Sequence, residues 1–278
     1  MAKNNSSRVL VNVLGIPALL SIIYLGDSLF FPLYSIFISI VIFLGTKEIK
    51  PLVRPKGGDP VISILILFLL VLQFYRLFGY DVELISYSLV VSLLFSSMLV
   101  EIFRGKDSPL FNISIIIFSF VWLGLMLGSL SELRNLPGDI GLKVTLAVFV
   151  SVWICDSAAF IFGKRYGKKK ILPKVSPNKT WTGTVMGAFS SVIFLVLLYQ
   201  LNYFPLIFSV VDVISIALIT GVFGQFGDWA ESLLKREANI KDTSNILMGH
   251  GGILDRFDSL IFASPVVLLY CKYFILEG

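Results

Sequence analysis

LFNISIIIFSFVWLGLMLGSL, residues 110–130, contains no charged side chain. A helix rising 1.5 Å per residue crosses the roughly 30 Å hydrocarbon layer of a bilayer in about 20 residues. This stretch therefore has both the length and the chemistry of a membrane span. The same window finds eight more: Val9–Leu25, Leu29–Thr46, Pro60–Leu77, Leu84–Phe103, Leu142–Gly163, Gly183–Leu201, Ile207–Ala230 and Ser259–Phe274. Lys3 and Arg8 ahead of the first one resemble the start of a secretory leader. No small-x-small cleavage pattern closes that run, and the next begins just past Gly26-Asp27, so it reads as a helix. The expected fold is all-α: a polytopic integral membrane protein with about nine transmembrane helices.

The composition says the same of the chain as a whole. Of 278 residues, 56% are hydrophobic and 15% charged, against about 25% charged in soluble domains. The mean hydropathy is +0.87. So apolar a chain cannot cover itself with polar surface, which excludes a soluble domain and a disordered one. Cys155 and Cys271 both fall in apolar runs and read as small buried side chains, not as a bridge. Nucleic acid is a poor partner, because the basic residues sit between spans and not on one soluble face. With the N-terminus inside, 19 of the 23 Lys and Arg residues lie in segments on its side, and four on the other. That bias places the N-terminus in the cytoplasm and the C-terminus outside. In a bacterium this is the inner membrane.

Polar residues divide the chain at about residue 141. Residues 1–141 read as a scaffold of transmembrane helices whose loop residues Arg54, Lys56, Arg104 and Lys106 anchor it at headgroup level. Gly124 and Gly128, and again Gly183 and Gly187, have the GxxxG spacing that permits close helix contact. Residues 142–278 read as the catalytic region with polar cytoplasmic loops. Seven basic residues and no acid lie between Lys164 and Thr180, a density suited to a polyanion. GKRYGKKK is not a phosphate-cradling P-loop: the spacing is wrong, no Ser or Thr follows the Lys, and a span precedes it.

Gly227–Asp258 packs ten charged residues and His250, the chain's one histidine, into 32 positions. Asp228 lies seven residues, about 10 Å of helix, before Lys235. Asp156 lies eight residues before Lys164, while Asp255 and Asp258 open the last span. In the deduced orientation all four carboxylates approach one level of the bilayer. An ionised Asp inside a span costs about 3 kcal/mol on insertion scales and marks function. A divalent cation gathers such repelling charges, and Mg2+ takes one or two carboxylates along with phosphates and water. Asp228 with Glu231, and Asp255 with Asp258, are three apart and suited to share a helix face. The alternative reading is internal salt bridging, such as Asp228 with Lys235 or Asp255 with Arg256. His250, in Met248-Gly249-His250-Gly251-Gly252, reads as a structural or phosphate contact on a loop that approaches something closely.

Ser232-x-Leu234-Lys235-Arg236, Lys241-Asp242-x-Ser244-x-x-Leu247 and His250-Gly251-Gly252-Ile253-x-Asp255-Arg256-Phe257-Asp258 together resemble the signature of the phosphatidate cytidylyltransferases, the CDP-diacylglycerol synthases. Ser176-Pro177-Asn178-Lys179-Thr180-Trp181-Thr182-Gly183 is similar to that family's SPxKTxxG segment, and Asp156, Gly163 and Gly167 fit the helix before it. Met248 departs from the Pro, Gly or Ser expected there. The resemblance covers about Val152 to Asp258.

It implies an enzyme that joins CTP and phosphatidate into CDP-diacylglycerol and pyrophosphate with Mg2+, and with a monovalent cation such as K+. By motif position Asp228 and Asp255 are the first metal ligands, with Asp156 and Asp258 second, and Lys235 and Arg256 complete the catalytic set. Lys174, Lys179, Arg236, Lys241 and His250 are expected to hold the triphosphate and the lipid headgroup, with hydroxyl or capping contacts from Ser176 and Thr180. The family also suggests a homodimer through the helices of residues 1–141. Two other classes stay open at this point. One is a CTP-dependent lipid kinase of dolichol-kinase type, which releases CDP. The other is an ion-coupled membrane transporter, which spreads its acids through the midplane.

Overall fold

The computed structural model describes residues 2–26, 32–79, 82–244 and 251–277, with side chains from Leu14 onward. Among these, helical rods stand at all nine predicted places. They are α1 (Ala2–Leu25), α2 (Leu33–Val53), α3 (Ile62–Leu77), α4 (Val82–Arg104), α5 (Pro109–Arg134), α6 (Asp139–Tyr166), α7 (Trp181–Gln200), α8 (Val210–Glu237) and α9 (Leu254–Leu276). Six of them, α4 to α9, are long and apolar enough to cross a membrane. Leu14–Leu25 and α3 are apolar but shorter, and α2 carries Lys47, Glu48 and Lys50 toward its end. The chain is therefore a multi-pass, all-α membrane protein, with six of the nine expected spans meeting the length and composition of one. Leu29, the expected start of the second span, lies outside the described residues.

Among the described residues one two-stranded sheet interrupts the helices. Strands β1 (Lys170–Leu172) and β2 (Ser176–Thr180) form an antiparallel hairpin, with Lys170 opposite Thr180 and Leu172 opposite Ser176. Val175 donates its N–H to the Leu172 carbonyl (3.2 Å) and closes the turn.

The described chain forms two compact units. One comprises Met1–Ser131 with Leu234–Arg256; the other comprises Glu132–Leu233 with Phe257–Gly278. In the first, Ile38, Leu65, Leu72, Leu93, Phe120 and Leu123 are fully buried, while Tyr87, Phe95, Phe103 and Leu110 on α4 and α5 stand exposed. Such faces need lipid or another apolar surface against them. Gly124 lets α3 approach α5: a Cβ there would lie 2.8 Å from Leu69 Cδ2. Its carbonyl belongs to a π-helical segment, Phe120–Leu127. That wide turn leaves a carbonyl to accept from another helix, and buried Arg76 donates to it (2.6 Å). Outside the spans, Asp59 accepts from Lys106 (2.5 Å) and Arg104 (2.8 Å). The Lys106 bond and its charge hold the Asp59 carboxyl below the ordinary carboxylate range.

In the second unit Val148, Phe149, Leu195, Val213 and Ile216 form the core. The GxxxG of α7 meets α6 directly. A Cβ on Gly183 would come within 2.6 Å of the Ala159 carbonyl oxygen, and one on Gly187 within 2.9 Å of that of Cys155. Cys155 and Cys271 are free and buried, as expected. A second π-helical segment, Ile219–Phe223, presents the Gly221 carbonyl to Gln225 Nε2 (2.6 Å) and to Cys155 Sγ (3.6 Å).

The charge bias, with nine expected crossings, gives a direct topological expectation. A reporter fused at the C-terminus should read as extracytoplasmic; a cytoplasmic signal would mean that the number of crossings is even.

Candidate active site

The residues expected to act fall into two polar clusters, one in each unit. In the second unit the cluster is built on β2, α6 and the middle of α8. Thr180 ends β2 in extended conformation and caps α7, its Oγ1 accepting from Gly183 N (3.2 Å). Such a cap contributes about 1 kcal/mol. Gly163 gives Thr180 room: a Cβ there would sit 3.0 Å from Thr180 Oγ1. One residue before this cap, Lys179 is directed into the unit, where its Nζ bonds the Asp228 carboxylate and lies 5.9 Å from the Trp229 ring centroid. Ser232, one turn along α8, donates to the other oxygen of Asp228 (3.4 Å).

Asp156 on α6 is exposed and within electrostatic reach of both Asp228 and Lys179. Asp228 and Glu231 do share a helix side, but their access differs. The Asp228 side chain is 30% exposed, whereas Glu231 is 1% exposed and belongs to the interior. Asp258 accepts from the following N–H, Ser259 N, at 2.6 Å. Its carbonyl is met so closely by Gly227 that no side chain fits on that glycine. Lys174 stands exposed at the hairpin tip and Ser176 half-buried at the start of β2.

In the first unit the cluster joins the end of α8 to the start of α9. Lys235 Nζ donates to Asp255 Oδ1 (2.5 Å), and both side chains are at most 10% exposed. Asp255 Oδ2 also accepts from Gly252 N (2.7 Å) and Thr243 N (3.1 Å). Gly251 takes φ +80°, a conformation that admits Gly readily. Arg236 reaches the Ile240 carbonyl (3.3 Å), while Arg256 and Lys241 are exposed. His250 lies outside the described residues.

The ion pairs differ from those the spacing suggested. Asp228 pairs with Lys179 and not with Lys235, which is two turns away along α8 and serves Asp255 instead. Arg256 is next to Asp255 in sequence, and neighbours on a helix point apart. Removing one partner of a buried pair costs about 3–5 kcal/mol, because the remaining charge is stranded. Sequence reasoning also missed Glu48 on α2, which is fully buried and accepts from Thr243 Oγ1 (2.6 Å) and Ser244 Oγ (2.6 Å). Its signal was an acid inside an otherwise basic helix end, Thr46-Lys47-Glu48-Ile49-Lys50.

Among the described residues no three His, Cys, Asp or Glu side chains converge into a metal cage. Two carboxylates, Asp156 and Asp228, beside a lysine fit a magnesium ion that takes its other ligands from phosphates and water. They do not fit an ion held by protein alone.

The sequence pattern of the cytidylyltransferase family matches residues 6–274. The chain belongs to the cytidylyltransferase family. It is similar to the phosphatidate cytidylyltransferase of Bacillus subtilis (strain 168), with 32% identity over 275 residues, 97% of this chain and 96% of that one. A shorter match, to the phosphatidate cytidylyltransferase of Staphylococcus aureus (strain COL), reaches 45% identity over 127 residues, 46% of this chain and 48% of that one. The Staphylococcus saprophyticus enzyme of that name is 40% identical over 151 residues, 54% of this chain and 56% of that one. This cytidylyltransferase is thus an enzyme of the nucleotidyltransferase class.

Close packing under the Lys179 cluster makes it sensitive to side-chain volume. Gly183→Val is expected to destabilise the protein by about 1–3 kcal/mol, the usual cost of overpacking. Trp181→Phe, at a half-exposed position, should leave stability nearly unchanged; thermal unfolding in detergent measures both.

Proposed function

We propose that this cytidylyltransferase joins CTP to phosphatidate, forming CDP-diacylglycerol and pyrophosphate for phospholipid synthesis at the cytoplasmic face of the inner membrane. The observation that carries this reading is the Lys179–Asp228 pair with Asp156 beside it, on a chain whose family and relatives are cytidylyltransferases.

A phosphate oxygen of phosphatidate attacks the α-phosphorus of CTP. A new P–O bond forms, the bond from the α-phosphorus to the bridging β-phosphate oxygen breaks, and its electron pair leaves with pyrophosphate. The attacking group is already an anion, so no general base is needed. Two polyanions have to be brought together, and catalysis is therefore mainly positioning and charge neutralisation. Asp228 and Asp156 would hold Mg2+, with K+ as the monovalent ion that the family resemblance implies. Bound there, Mg2+ supplies charge to the phosphate oxygens and to the leaving group.

This chain's own residues do the rest. Lys179 already neutralises Asp228, and it is free to turn to a phosphate once a cation takes its place. The hairpin holds Lys174 and Lys179 on one short rigid element, so that the two lysines meet the triphosphate together. Lys235, Arg236, Lys241 and Arg256 add positive charge for the lipid headgroup. Asp255, Asp258 and His250 complete the proposed set, and the helices of residues 1–141 are the proposed homodimer contact.

The test follows the label. With CTP labelled at the α-phosphorus and phosphatidate in mixed micelles, label should enter the lipid. Label found only in free CDP would make the enzyme a lipid kinase, and no conversion at all would favour a transporter. Asp228→Asn should abolish turnover while the protein still inserts. Lys179→Ala should mainly raise the KM for CTP, by roughly tenfold, the loss of one charge-assisted hydrogen bond; an unchanged KM would assign Lys179 to packing.

A further inference from the structure

Glu48 sits in a helix that is otherwise apolar for most of its length, where an acid is costly. It is fully buried. Its four acceptor contacts all come from one distant segment. Besides the hydroxyls of Thr243 and Ser244, its oxygens accept from Ile253 N (2.8 Å) and Leu254 N (3.0 Å). Ile253 N and Leu254 N open α9, and the first N–H groups of a helix have no partner within it. A carboxylate at this end also answers the positive pole of the helix dipole. Glu48 therefore joins Thr243 and Ser244 to the start of α9.

The same segment builds the Asp255 site. Thr243 N and Gly252 N donate to Asp255 Oδ2. Thr243 Oγ1 lies 2.6 Å from Glu48 and 3.1 Å from Asp255; one hydroxyl carries one proton, and the shorter contact takes it. Gly252 is enclosed so tightly that a Cβ would run into Thr243 Oγ1 and both carboxylate oxygens of Glu48. Glu48 and Asp255 thus share Thr243 and hold successive backbone amides, Asp255 that of Gly252 and Glu48 those of Ile253 and Leu254, and Lys235 is paired with Asp255.

We infer that Glu48 is a positioning residue of the transferase, which sets the Asp255–Lys235 pair by clamping Thr243 and the start of α9 without itself touching substrate. This rests on the function proposed above for the site. A purely structural role predicts a different outcome. Loss of folded molecules lowers the apparent kcat in proportion and leaves KM alone, whereas a displaced Lys235–Asp255 pair weakens the grip on the anionic substrate.

The experiment uses the full chain in lipid-containing micelles and compares wild type with Glu48→Gln and Glu48→Asp. The Gln variant keeps the shape but turns an amide donor toward N–H donors. Expected for Glu48→Gln are a KM for phosphatidate raised about tenfold and hydrogen exchange at Ile253 and Leu254 faster by at least tenfold. Glu48→Asp, which keeps the charge on a shorter arm, should fall between. Unchanged exchange at Ile253 and Leu254, or a fall in kcat at unchanged KM, would overturn the assignment. If Glu48→Gln does not fold, Thr243→Val removes one donor only and should move both readings in the same direction by less; no movement overturns it equally. Should the wild type form no cytidylylated lipid, the functional reading falls, while the exchange measurement still decides whether Glu48 holds the segment.

Discussion

A carboxylate carried into an apolar helix must meet donors there, and this demand shapes both clusters of the enzyme. Asp228 meets Lys179, and Asp255 meets Lys235 and two backbone amides. Glu48 meets two hydroxyls and two amides. In the scaffold, Glu101 is buried against Arg104 and Asn112 Nδ2, the latter at 3.3 Å. In water such pairs would contribute little, because solvent screens them and competes for the same donors. Among apolar side chains an unpaired charge costs several kcal/mol, so pairing becomes a condition of folding.

Backbone geometry serves the same end. The π-helical turns at Phe120–Leu127 and Ile219–Phe223 expose carbonyls that an α-helix would use internally. Arg76 takes one and Gln225 another. Glycines at 124, 183 and 187 bring helix backbones close enough for dispersion and short polar contacts to replace the hydrophobic drive that lipid does not supply. A rigid α6–α7 contact in turn fixes Thr180, and Thr180 fixes the direction in which Lys179 leaves the strand.

A lysine–aspartate pair is also a sound resting state for a nucleotidyltransferase. Under the proposed function each member already carries the charge it would need for an anion or a cation, and each keeps the other neutral meanwhile. Exchange of partners then costs less than ionising a buried group afresh. Asp228 is partly exposed and Asp156 exposed, so these are the acids open to the proposed ion. Asp255 is held by three donor groups and has less freedom to change partners.

Much of this was legible in the order of residues. The positions of the nine rods follow from apolar runs such as residues 110–130, because span length is a local property set by the thickness of the bilayer. The signature from Ser232 to Asp258 pointed to the family. The hairpin at Lys170–Thr180 was not legible, since strands of three and five residues leave no periodicity to read. Nor were the partners: spacing along one helix suggested Asp228 with Lys235, but helix geometry holds these two turns apart, and a strand elsewhere in the chain supplies Lys179. Glu48 lies about 200 positions from the segment it grips. Sequence determined which segments are helical and which side chains are charged, because both depend on neighbours in the chain. Tertiary structure alone decided which charge answers which, because a hydrogen bond depends on distance in space and not on distance along the chain.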